Sequence, residues 1–203
     1  MLKILDLFCG CGGAAMGIYK SAQYHKVDVE ITGYDIEPQK DYPFTFIQSD
    51  VSRLKKEDLA DFDFVWASPP CQSFSTLKFS NPKCKAENYI PFVRKLIKHK
   101  PAVIENVALS PLRNDLILTG DMFGFPVIRK RIFEIYNFFC FALPEGRKVK
   151  NYIAVYGFGK KGQGIKDWQK AMDIDWTKNR KSLANAVPPY YSQYIFDNYL
   201  CNK

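Results

Sequence analysis

Histidine is scarce in this 203-residue chain: His25 and His99 are its two, and they stand far apart. Six cysteines (Cys9, Cys11, Cys71, Cys84, Cys140 and Cys201) form no pair at the two-to-four-residue spacing of a zinc site, Cys9 and Cys11 being a single residue apart. No metal centre is expected. Nothing points to an oxidising compartment either, so no disulfide framework is expected and at least one cysteine needs its own explanation. Long apolar runs are also missing. None approaches the ~20 residues of a membrane span, and the opening MLKILDLFCG is too short and wrongly flanked for a secretory signal. The expectation is a soluble, cytoplasmic monomer with no membrane partner. Disorder is excluded, because 47% hydrophobic and 15% aromatic residues supply ample material for a core. One domain is the default at this length, with room for a small lobe.

Positive charge is plentiful, and it is localised. The formal net charge is +8, and residues 147–181 carry ten Lys and Arg against Asp167, Asp173 and Asp175, a balance of +7. The rest of the chain is close to neutral. An anionic partner is implied. Tyr152, Tyr156, Phe158, Trp168 and Trp176 are interleaved with these cations. That mixture suits a surface that tracks phosphates and stacks bases, although Trp168 and Trp176 also suit the core of a lobe. Lys160 and Lys161, in a glycine-rich stretch, are the better phosphate candidates.

Short apolar strands alternate with helical patterns. Strands are expected at 3–8, 29–34, 44–48, 62–67 and 102–106, with helices after residue 13 and over 87–99. This is the signature of an α/β fold with a doubly wound, mostly parallel sheet. After Pro111 the spacing predicts a helix over 111–123 and β-structure within 128–143. Short helices follow near 168–172 and 181–187, then an amphipathic helix over 190–200. The expected division is a catalytic and cofactor-binding part at 1–136, a small basic lobe at 137–181, and a returning segment at 182–203.

The first strand runs into Asp6-Leu7-Phe8-Cys9-Gly10-Cys11-Gly12-Gly13. Glycines at a strand-to-helix junction let the backbone approach a ligand. Asp35 closes the next strand, 22 residues past Gly13, where a carboxylate can hold ribose hydroxyls. The pattern fits a nicotinamide, a flavin or S-adenosylmethionine, and equally a tight turn with no ligand. Asp6, Asp35 and Asp50 all fall at one sheet edge. Three carboxylates there disfavour a diphosphate and favour a sulfonium or an adenine amine.

Ala67-Ser68-Pro69-Pro70-Cys71-Gln72-Ser73 follows the fourth strand at the same edge. Two prolines stiffen the turn and hold Cys71 in one orientation. The plainer alternative is a buried structural thiol. Glu105-Asn106-Val107 ends the fifth strand, again at this edge.

In order along the chain, DLFCGCGG, SPPCQS, ENV, the RKR of a strand and a late ANAVPP resemble the cytosine-5 methyltransferase family that modifies DNA. WQKAMDIDW ahead of the last motif is similar to its small phage-type members. The resemblance spans Leu5 to Pro189. It implies a Rossmann-like S-adenosylmethionine-dependent methyltransferase fold and cytosine-containing duplex DNA as substrate. Cys71 would add to C6 of a flipped cytosine. Glu105 would carry a proton to N3, and Arg129 and Arg131 would grip the base carbonyl or a nearby phosphate. The implied cofactor, S-adenosyl-L-methionine, would lie among Asp6, Phe8, Gly10, Gly12, Gly13, Asp35, Ile36, Asp50, Val51, Pro70, Asn185 and Ala186. Glu37 is the alternative to Asp35 at the ribose. Gln72, Ser73, Lys160 and Lys161 would touch nucleic acid.

The chain also departs from the family. Val127 stands where the family usually has Gln, and only 53 residues separate Arg131 from Asn185, where typical members keep a target-recognition domain. Short or low sequence specificity follows. An RNA methyltransferase, an inactive nucleic-acid-binding module and, more distantly, a dinucleotide-dependent oxidoreductase are the other readings of these residues.

Overall fold

The computed structural model describes residues 1–71, 87–147, 149, 151–156 and 159–203. Seven strands form one sheet in the order β3-β2-β1-β4-β5-β7-β6. The strands are β1 (Leu2–Leu7), β2 (Val29–Asp35), β3 (Thr45–Gln48), β4 (Phe64–Ala67), β5 (Ala102–Val107), β6 (Leu116–Leu118) and β7 (Arg131–Tyr136). β1 to β5 pair in parallel, while β7 runs antiparallel to both β5 and β6. The central strands are apolar on both faces, as a doubly covered parallel sheet requires. Ile4, Trp66, Val103 and Phe133 face one layer, and Leu5, Val65, Ile104 and Ile132 face the other.

The first layer holds α1 (Gly13–Tyr24) and α5 (Pro189–Cys201), the second α2 (Ile90–Ile97). α1 turns small residues toward α5, and the two helices approach closely at Gly17. A Cβ there would fall on Pro189 O and Ser192 Oγ. Between β7 and α5 lie α3 (Ile165–Met172) and α4 (Arg180–Asn185). Trp168, Ala171, Met172 and Ile174 are buried in the same cluster as α1 and α5, and Trp176 packs against it. Among the described residues no helix is long and apolar enough to cross a membrane.

The helix expected over 111–123 does not form. Instead Leu116–Leu118 is a strand, followed by a 3-10 turn at Gly120–Phe123. Leu116 and Leu118 are buried while Ile117 is exposed, a period of two that competes with the helical spacing. Asp115 settles the contest, since its carboxylate accepts the Ile135 amide at 2.9 Å and ties the segment beside β7. The expected β-structure within 128–143 narrows to β7, which stops at Asn137, a residue with φ of 61°.

Candidate active site

In a parallel sheet all carboxyl ends lie on one edge, and that edge gathers Asp6, Asp35, Gln48 and Ala67 from four strands. β7 reaches it from the opposite direction. Its antiparallel register sets Arg131 opposite Val107, so the first residue of β7 stands beside the last of β5. This reversal brings the arginine motif to the edge.

The loop leaving β1 bends through left-handed backbone at Phe8 (φ 57°), Gly10 (49°) and Gly12 (83°). Phe8 is the strained member, because a side chain costs energy there, and its ring packs 5.6 Å from that of Tyr89. Asp35 fastens the loop. One of its oxygens accepts the Gly10 amide and the other the Glu37 amide, each at 3.0 Å. Asp6 lies underneath, 1% exposed. Its Oδ2 accepts a hydrogen bond from Tyr42 Oη at 3.3 Å, while its Oδ1 has no partner among the described residues. Burial raises the Asp6 carboxyl from 3.8 to about 8; the Tyr42 hydrogen bond opposes this and Asp35 adds to it. The thiols of Cys9 and Cys11 are also pushed up by burial, that of Cys11 to about 12, so neither supplies a thiolate.

Asp50 caps a 3-10 turn at Val51–Arg53, its Oδ1 accepting Ser52 N at 2.9 Å and Ser52 Oγ at 2.7 Å. Hydrogen bonds from the Ser52 side chain and amide hold its carboxyl below the ordinary range, as does Arg53, against a small opposing effect of burial. A shallow cleft of about 370 Å³ opens here, lined by Ile36, Gln48, Ser49, Asp50 and Arg53. Ile36 is 60% exposed, an apolar side chain left facing this cleft beside a fixed anion.

Cys71 is half-buried at the end of the Pro69-Pro70 turn. Buried Asn106 clamps that turn, donating from Nδ2 to Pro69 O at 2.8 Å. Its Oδ1 meanwhile accepts the Val107 amide at 2.9 Å. Glu105, on β5, pairs with Arg131 at 2.8 Å, and both are largely enclosed. Burial and the negative charge of Glu105 raise the Cys71 thiol; Arg131 and Arg129 pull it down. The resting thiol therefore stays protonated.

Arg129 and Arg131 were expected to act together as substrate grips, and the structure separates them. The Arg129 guanidinium is turned inward. Nε donates to Ala186 O at 3.1 Å, Nη1 to Val155 O at 3.1 Å, and Nη2 to Ala184 O at 2.6 Å and Ala186 O at 2.7 Å. Burial, with Arg131 nearby, lowers it to about 9, still a cation at neutral pH. The segment it holds is the C-terminal end of α4 with Ala186 after it, and the chain just beyond leans on the glycine loop. A Cβ at Gly13 would strike Val187 O, and Trp176 Nε1 donates to Cys11 O at 2.8 Å. Asn185 is exposed and Ala186 buried within this segment.

Lys160 and Lys161 are exposed, and the Lys160 ammonium lies 3.7 Å from the centre of the Tyr152 ring. Gln72 and Ser73 lie outside the described residues. Two residues were missed as supports of the site, Tyr42 and Asn106. Tyr42 had a signal in Gly33, a lone glycine within β2 that marks a close approach; a Cβ there would meet the Tyr42 ring. Asn106 had none, since only folding brings it beneath Pro69.

The family model of C-5 cytosine-specific DNA methylases matches residues 2–110. Curated relatives include the Type II methyltransferase M.Bsp6I of Bacillus sp. (strain RFL6), 30% identical over 116 residues, covering 53% of this chain and 36% of the relative. M.DdeI of Desulfomicrobium norvegicum is 33% identical over 119 residues, 52% of this chain and 28% of its own length. M.NgoBI of Neisseria gonorrhoeae is 26% identical over 171 residues, 78% of this chain and 51% of the relative. The matches thus take in about half, or less, of these relatives. Among solved structures, the Entamoeba histolytica methyltransferase EhMeth superposes with a TM-score of 0.72 at 13% identity, over 99% of this chain and 98% of that one. That likeness is one of fold.

Proposed function

The chain belongs to the C-5 cytosine-specific DNA methylase family, and from that premise we propose that it methylates C5 of cytosine in duplex DNA, with short or low sequence specificity. The observation that carries this reading is the half-buried Cys71 on its Asn106-clamped turn, under the combined fields of Glu105 and Arg131. A weakly nucleophilic ring carbon needs a thiolate, a proton donor and an orienting cation, and here they converge.

The residues present also suit S-adenosylmethionine. The ionised Asp50 and exposed Ile36 match the amine edge and face of an adenine. Asp35 retains acceptor capacity for ribose hydroxyls beyond its two amide contacts. Among the described residues nothing lies within 4 Å of where a Cβ of Gly10 would be, which leaves the loop backbone open to a ligand. Phe8, Gly12, Gly13, Val51, Pro70, Asn185 and Ala186 would complete the pocket. When bound, the cofactor supplies an electrophilic sulfonium methyl group.

The Cys71 thiol passes its proton to the Glu105 carboxylate, and its sulfur bonds to C6 of a cytosine flipped from the stack. Glu105 hands that proton on to N3 as the ring gains electron density, and takes it back when Cys71 leaves, while Arg131 orients Glu105 and faces the base carbonyl. Once C5 carries the methyl group, loss of its proton restores the C5=C6 bond and expels the Cys71 thiolate. Residues 137–181 act as a reduced recognition segment in this reading.

The test is labelled methyl transfer by the purified chain to DNA and, separately, to RNA. Incorporation into DNA that Cys71→Ala abolishes, with a denaturation-resistant adduct on 5-fluorocytosine DNA, is the expected result. Full activity in Cys71→Ala would overturn the mechanism, and label entering RNA alone would overturn the substrate.

A further inference from the structure

We propose that Arg129 is not a nucleic-acid contact but a positioning residue that brackets the recognition segment and the Asn185-Ala186 segment to the strand carrying Arg131. The inference rests on the reading of Asn185 and Ala186 as part of the cofactor pocket.

Three separate stretches of chain meet at one guanidinium. Val155 belongs to the 151–164 stretch, Ala184 and Ala186 flank Asn185, and Arg129 itself lies two residues before Arg131. Four of its N–H directions end on carbonyl oxygens, which leaves little with which to hold a phosphate or a base. The backbone supports the same conclusion. Arg129 sits at φ of 39°, uncommon for a residue with a side chain, and Tyr191 Oη donates to its carbonyl at 2.9 Å. The chain is held in a left-handed kink that turns this side chain inward, two residues before β7 turns Arg131 toward Glu105.

Only arginine can do this. The carbonyls of residues 155, 184 and 186 are reached from different nitrogens of a planar fork, and a lysine ammonium at the same site offers a single point. The 151–164 stretch is also held from its own side: Gln163 Nε2 donates to Tyr152 O at 3.3 Å and Gln163 Oε1 accepts Ala154 N at 3.0 Å. Arg129 is thus a side-chain tie from that stretch to the edge carrying Arg131, beside the backbone bond from the Ile153 amide to Pro126 O at 2.6 Å. Engaging the basic stretch on DNA bears directly on the segment that frames Asn185.

Arg129→Lys and Arg129→Gly decide the matter, the glycine variant being free of strain at this φ. Hydrogen exchange should show residues 152–156 and 184–187 losing protection together in both variants, with β1 and β4 unchanged. Affinity for S-adenosylhomocysteine, measured by calorimetry, should fall about 10-fold, and adduct formation on 5-fluorocytosine DNA should slow by roughly 100-fold. The salt dependence of DNA binding should keep its slope. Ethylguanidinium should restore cofactor affinity to Arg129→Gly, which would not happen if the fold were merely weakened. A salt slope reduced by about one, with exchange at both segments unchanged, would make Arg129 a phosphate contact and overturn the proposal. If the wild-type protein bound no S-adenosylhomocysteine, the cofactor reading would fail while the exchange experiment still judged the bracket.

Discussion

Asp6 shows how much one residue can impose on its surroundings. It is an acid 1% exposed, with one oxygen unpartnered, and burial raises its carboxyl from 3.8 to about 8. Between those two values the folded protein holds a proton that the unfolded chain has released. Stability therefore falls as pH rises through that interval and levels off above it. Asp6→Asn is neutral throughout and lacks this slope. Urea denaturation across pH 4 to 8.5 should find the two proteins diverging, the variant gaining by at most about 1.4 kcal/mol per pH unit. A gap independent of pH would mean that Asp6 is ionised in the folded protein across this range, as it is in the unfolded chain. A buried acid beneath the glycine loop is held there mainly in its neutral form.

Among the elements, β7 has two jobs on two faces. Arg131 at its start pairs with Glu105 at the carboxyl edge of the sheet, while Glu134 anchors the other side of the molecule. Glu134 is 1% exposed and takes Arg94 Nη2 of α2 at 2.7 Å and the Arg113 amide at 3.0 Å, with the Tyr136 hydroxyl donating to it as well. Glu134→Ala leaves Arg94 without its partner, and because Arg94 is itself partly exposed the loss should be about 3 kcal/mol. The check is a lower urea midpoint at unchanged slope. A loss under about 1 kcal/mol would mark the pair as an ordinary surface contact. Much of this architecture is legible in the sequence wherever apolar runs are short and bounded, as at β1, β4 and β5. It is not legible at Leu116–Leu118, where three residues carry too little periodicity and a distant partner, Ile135, makes the choice. The site divides in the same manner. That Cys71 and Glu105 share an edge is readable from their places at strand ends, and Arg131 enters through the family resemblance, whereas the inward turn of Arg129 depends on carbonyls 26 to 57 residues away.

At the scale of the whole molecule, charge and core are distributed differently. The basic stretch contributes Trp168, Ala171 and Met172 to the main core, yet leaves Lys160 and Lys161 exposed. Each lysine that neutralises a phosphate adds about 0.9 to the slope of log affinity against log salt. Replacing both by Ala should therefore reduce that slope by nearly two, read from DNA titrations at a series of salt concentrations. An unchanged slope would confine Lys160 to its Tyr152 ring.

The pairing of α1 with α5 sets a schedule for the protein's birth. The glycine loop is made well before α5, but the carbonyl that abuts Gly13 belongs to Val187, and the chain that covers Gly17 begins at Pro189. Contacts so far apart in sequence form late, and until they do the apolar side of α1 stays bare to the ribosome's surroundings. A half-made chain thus owns every residue of the glycine loop and lacks its floor. The loop waits for a segment made long after it before its packing is complete.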